Sequence, residues 1–126
     1  FIKIINYLLI YFFMDRNTIL KEITLKYFEL FSSKNLDDLS KLFADNVTLR
    51  DWEINESGIE NVKIACLNIF NNTEKLDINP LQIVISNKTA YCEIDIVINS
   101  KELIKVVDIV DFDNNNLIKS VKAFKG

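Results

Sequence analysis

Apolar residues recur along this chain with two different periods. Up to about Phe70 they fall three to four positions apart, as helices require, and from Leu76 onward they alternate with polar residues, as strands require. Ile19, Ile23, Tyr27, Leu30 and Phe31 form one stripe and predict a first helix over Thr18 to Ser33, capped by Asn17 or Thr18. Asn35 is a good cap for a second helix reaching about Ala44, with Leu36, Leu39, Leu42 and Phe43 on its buried side. A strand over Asn46 to Trp52 follows. Ser57-Gly58-Ile59-Glu60 then reads as a capping box that opens a third helix, ending near Asn71. Four strands complete the chain, over Leu76 to Ser86, Thr89 to Asn99, Glu102 to Phe112 and Leu117 to Phe124. Asn87-Lys88, Ser100-Lys101 and Asp113 to Asn116 serve as the turns. The order α-α-β-α-β-β-β-β predicts an α+β fold, a mainly antiparallel sheet with helices on one face.

The first thirteen residues break this pattern. Phe1 to Phe13 is almost wholly apolar and precedes the only methionine, Met14. Its apolar run of about ten residues falls short of the ~20 that span a bilayer. It is therefore read as upstream sequence, and residues 14–126 as a single domain. With 126 residues in all, there is room for one core and one internal cavity.

Charge and composition narrow the chemistry. Fifteen basic against 18 acidic residues give a net charge of −3, which supplies no attraction for nucleic acid, and no membrane partner is expected. Cys66 and Cys92 sit in apolar contexts without metal or redox spacing, consistent with reduced thiols in a cytoplasmic protein. No acid cluster has the spacing of a metal site, and no Gly-rich loop awaits a phosphate, so no cofactor is expected. The chain contains no histidine. Proton chemistry would then fall to carboxylates and tyrosines.

Separating the strand faces singles out two acids. In the first strand Val47, Leu49 and Asp51 share the inward row, while Thr48, Arg50 and Trp52 face away. In the strand from Glu102 to Phe112, Asp108 lies between Val106 and Val110 on the row that also holds Ile104 and Phe112. By contrast Glu93 and Asp95 fall opposite the apolar row of Cys92, Ile94, Ile96 and Ile98. A carboxyl in an apolar setting resists ionisation, and two acids in unlike settings are the pattern that divides a base from a neutral donor. On the residues alone two readings stand. Asp51 is a pocket base or an acid at a wet strand end, and Asp108 is a pocket donor or a structural acid bonded to the backbone. Tyr27 is likewise a third site residue or core with its hydroxyl at the edge.

The stretch YFELFSSKNLDDLSKLFADNVTLRDW, Tyr27 to Trp52, together with VVDIVDFDNNNLIKSVKAF, Val106 to Phe124, resembles the nuclear transport factor 2-like superfamily. That superfamily includes the SnoaL-like polyketide cyclases and the ketosteroid isomerases. The resemblance implies a cone, a curved sheet wrapped around three helices with a deep apolar pocket. Trp52 is expected at its rim, and Ile23, Phe31, Val47, Leu49, Val106 and Val110 along its walls. In the ketosteroid isomerase branch a helix-one tyrosine, a first-strand aspartate and a late-strand aspartate fall on Tyr27, Asp51 and Asp108. Cyclase and dehydratase chemistries that need a pocket histidine are excluded, and an Asp-Arg-Asp arrangement lacks an inward arginine. The resemblance implies an isomerase-like enzyme moving a proton α to the carbonyl of a small apolar compound. The rival is a non-catalytic ligand-binding or dimerisation module. A homodimer through the outer sheet face, where Val107 and Ile109 lie, is also expected.

Overall fold

A computed structural model describes residues 2–3 and 15–126. The rest of the apolar leader, with Tyr7, Tyr11 and Met14, lies outside the described residues. Helix α1 spans Arg16–Ser32 and is capped by Asp15, whose carboxylate accepts the Thr18 N–H at 2.8 Å. The cap therefore precedes Asn17 and Thr18, and the helix starts two residues earlier than its apolar stripe suggests. Its buried face is also broader: Leu20, Thr24 and Phe28 join Tyr27, Leu30 and Phe31, because the sheet wraps the helix rather than touching one stripe. The Thr24 hydroxyl donates to the Leu20 carbonyl at 2.7 Å, so this buried polar group is satisfied.

Helix α2, Leu36–Ser40, is short and capped by Asn35 as expected. It ends early because Phe43 and Ala44 already belong to strand β1, Phe43–Arg50. A bend then leads into β2, Asn55–Ser57, a short exposed strand that pairs antiparallel with β1. The pattern did not reveal β2, since all three of its residues face solvent. Helix α3, Ile59–Asn71, starts where the capping box placed it, but by another mechanism. Ser57 pairs with Thr48 instead of capping, and Gly58 turns the chain at φ 87°. The Gly58 N–H donates to the Val47 carbonyl at 2.8 Å, tying the helix start to β1.

Strands β3 (Leu76–Ser86), β4 (Thr89–Ile98), β5 (Glu102–Phe112) and β6 (Ile118–Lys125) fall within a residue of the expected ranges. Asn87 and Lys88 both have positive φ, as do Asn99 and Ser100, so the first two hairpin turns are of the primed kind that matches strand twist. The second turn is centred one residue before Ser100-Lys101. The sheet order is β2-β1-β6-β5-β4-β3, with only β1 and β6 parallel. The sheet curves around the helices as a cone, and its inner face carries most of the core. On its outer face Tyr91, Val107 and Phe124 are exposed. No helix among the described residues is long and apolar enough to cross a membrane.

Candidate active site

Inward residues of the strands do not all meet helix. Toward the C-terminal ends of β4 and β6 and the N-terminal ends of β3 and β5 the helices leave a space, a cavity of about 340 Å³. This lies within the usual range for small-molecule sites, at its lower end. Its buried inner wall includes Tyr27, Leu49, Ile94, Asp108 and Val121. Its mouth is marked by the exposed side chains of Trp52, Glu53, Glu102 and Lys125. Ile96, Ile98 and Ile104 continue the apolar wall between them.

Tyr27, Asp51 and Asp108 all line this one cavity. Phe31, Leu49 and Trp52 line it too. Ile23, Val47, Val106 and Val110 do not. Val47, Val106 and Val110 point inward but are sealed in the core, and Ile23 packs against that core, half-buried. Facing the inner layer is thus not the same as facing the cavity: where helix covers the sheet, the same row is core. The sequence reading missed the isoleucines of β4 as wall residues, although it had put Ile94, Ile96 and Ile98 on one inward row. It also missed Lys125, Glu53, Glu102 and Thr73, for which single-residue patterns carry no signal.

Asp108 sits in mid-strand, opposite Cys92 on β4 and Ala123 on β6, so its neighbours in the ladder bring no charge to meet it. It is 7% exposed and makes no side-chain hydrogen bond to any described residue. Burial pushes its carboxyl up to about 7, and the negative charge of Asp51 adds to the rise. Near neutral pH this group holds its proton about half the time and can donate it to a ligand. Tyr27 is 4% exposed, and its ring packs among Phe28, Phe31 and Phe43 with centroids 5.3, 5.9 and 6.1 Å away. Burial raises its hydroxyl well above the ordinary tyrosine value, and Asp108 pushes the same way, so it stays a neutral donor.

Asp51 is built differently. It leaves the end of β1 half-buried, and its Oδ1 accepts the N–H groups of Glu53 and Ile54 at 2.7 and 2.5 Å. The Asp51 N–H in turn donates to the Ile54 carbonyl at 2.9 Å. This closed bend fixes the carboxylate at the lip of the cavity, with Oδ2 bonded to none of the described residues. Cys66 and Cys92 are buried free thiols, pushed up to about 12 by burial, and are inert packing groups. No group of three or more metal-ligating side chains occurs among the described residues.

No protein-family model matches the chain, and no curated protein does. Solved structures do. A nuclear transport factor 2-like protein of unknown function from Cytophaga hutchinsonii superposes with a TM-score of 0.73 at 13% identity, over 85% of this chain and 89% of its own. A protein from Kribbella flavida described as a proposed ketosteroid isomerase gives 0.74 at 12% identity, over 85% and 77%. The epoxide hydrolase/cyclase-like enzyme SalBIII, of pyran ring formation in polyether salinomycin, gives 0.78 at 18% identity, over 90% and 95%. The element order, the single parallel pair in the sheet and these three superpositions agree that the chain has the nuclear transport factor 2-like fold.

Proposed function

We propose that the cavity is the active site of an isomerase that moves a proton α to the carbonyl of a small apolar compound, without a cofactor. The observation that carries this reading is Asp108, a buried carboxyl with no hydrogen-bond partner among the described residues and pushed up to about 7, which lines the same apolar cavity as the buried, neutral phenol of Tyr27. A neutral carboxyl and a phenol are donors, and donors aimed into a dry site stabilise an oxygen that gains negative charge. Asp51 at the lip takes the proton. Its carboxylate oxygen removes the α C–H proton, the C–H pair becomes the new C=C, and the carbonyl pair moves onto oxygen. Tyr27 and Asp108 hydrogen-bond that enolate oxygen. Asp51, at the open lip where its proton exchanges with solvent, then returns a proton to the γ carbon of an enone, so the double bond shifts and no proton is gained or lost.

A phenol mimics the enolate, with a ring in the apolar cavity and an oxygen at the two donors. Binding of substituted phenols, followed by calorimetry from pH 5 to pH 9, tests the donor pair. The wild type is expected to bind phenols tightly and to lose affinity as Asp108 ionises above about pH 7. Asp108→Leu is expected to lose most of that affinity. Equal binding by Asp108→Leu would overturn the enolate-stabilising role and leave a cavity that simply holds small apolar molecules.

A further inference from the structure

A second groove, of about 330 Å³, adjoins the mouth of the cavity where β1 ends and β6 runs on. It shares Asp51, Trp52, Ala123 and Lys125 with the cavity, so the two spaces meet along the Trp52 side chain. Its other lining residues are Arg50, Lys122 and Phe124. Three cations therefore face one acid, in a chain whose net charge is −3.

Arg50 and Lys122 are register partners across the parallel β1–β6 pair, both exposed, and neither belongs to an ion pair among the described residues. Like charges held side by side repel, and an anion bound between them would relieve that repulsion. Lys125 stands with its Nζ 5.7 Å from the centroid of the Trp52 ring, on the boundary between groove and cavity. On the cavity side of the same boundary the charge has the opposite sign: Asp51, Glu53 and Glu102 stand at the mouth. The opening thus carries more acid toward the cavity and more cation toward the groove, with Asp51 and Lys125 shared between them. An amphiphile whose body fills the cavity and whose tail is negative is repelled from the inner rim and drawn past Trp52 to the outer one.

We infer that the ligand of this cavity carries an anionic tail, a carboxylate or a phosphate, which leaves past Trp52 and lies against Arg50, Lys122 and Lys125. The inference deepens the proposed function and rests on its placement of the reacting oxygen at Tyr27 and Asp108.

Three phenols that differ only in tail charge test it: 4-propylphenol, 3-(4-hydroxyphenyl)propionate and tyramine, with tyrosol phosphate as the phosphate arm. Trp52 is the only tryptophan in the chain, so its fluorescence reports binding at the boundary, and calorimetry checks the affinities. The anions are expected to bind about fivefold or more tighter than 4-propylphenol at low salt, and tyramine weakest, with the spread shrinking as salt rises. The carboxylate and phosphate arms show which anion the groove prefers. In Arg50→Gln/Lys122→Gln, two exposed positions whose change should leave the fold intact, the preference for anions is expected to shrink to what Lys125 alone supplies. Equal affinities in the wild type, tightest binding by tyramine, or an anion preference undiminished in the double variant would each overturn the inference. The same tails on plain phenyl rings (propylbenzene, 3-phenylpropionate, phenethylamine) separate it from the reading beneath. If the phenol hydroxyl adds no affinity, the donor pair is wrong, while the charge order still decides the groove. If no compound binds, both fail.

Discussion

Asp51 and Asp108 line one cavity and are chemically the same residue, yet the fold treats them in opposite ways. Asp51 stands where a strand ends, and two backbone N–H groups close on one of its oxygens. Asp108 stands in the middle of a strand, buried among apolar neighbours, with no donor from any described residue. Donors and an open lip suit a carboxylate that accepts a proton. A sealed wall without donors suits a carboxyl that keeps one. On the proposed function, strand position makes a base and a proton-holding acid from one residue type, without a histidine.

Four substitutions attack that contrast, in decreasing order of expected effect. Asp51→Asn keeps an oxygen for the Glu53 and Ile54 N–H groups, so the bend survives while the base is lost. Its kcat for enone isomerisation is expected to fall about a thousandfold, with KM little changed, in a steady-state assay. Asp108→Leu and Tyr27→Phe each remove one enolate donor, and each is expected to cost about a hundredfold in kcat. A comparable loss in all three variants with no loss of phenol binding would erase the distinction between base and donors.

The third effect is on stability. Asp108 binds its proton up to about pH 7 when folded, but an unfolded aspartate releases it near the ordinary value of 3.8. Between these values the native state holds more protons, so this residue's contribution to stability falls as pH rises through that window and is flat above it. Asp108→Asn escapes the penalty. Relative to wild type it is expected to gain stability from pH 4 to pH 7, on the order of a few kcal/mol, by urea unfolding. A pH-independent difference would mean that Asp108 is not held neutral. The smallest effect is on Asp108 itself. Removing the Asp51 charge in Asp51→Asn should lower the Asp108 titration midpoint, by less than burial raises it, as carboxyl carbon NMR shifts would report.

Much of the fold was legible because local chemistry and tertiary environment agree there. Strand β5 and the first half of β4 alternate cleanly, and Asn87-Lys88 adopts the positive φ angles that its turn requires. The inward placement of Asp108 followed from that alternation, and the placement of Asp51 from the alternation of β1 carried one residue past its end. What stayed hidden depends on neighbours distant in sequence. Strand β2 has no buried residue to mark it, and the Ser57 capping box gives way because Ser57 is needed opposite Thr48. Leu20 and Phe28 are buried because the sheet curves around α1, which no stripe records. Val106 and Ile104 belong to the same inward row, yet one is core and the other cavity wall, and only the reach of the helices separates them.

The proposed chemistry of this cavity is the removal and return of a proton α to a carbonyl. It is tested most directly by incubating a panel of cyclic enones in D2O with the protein and following loss of the α-proton signal by NMR. Exchange above the buffer rate is expected with at least one enone, faster at pH 6 than at pH 8 and abolished in Asp51→Asn. Exchange that is absent for every enone, or that persists undiminished in Asp51→Asn, would contradict the claim.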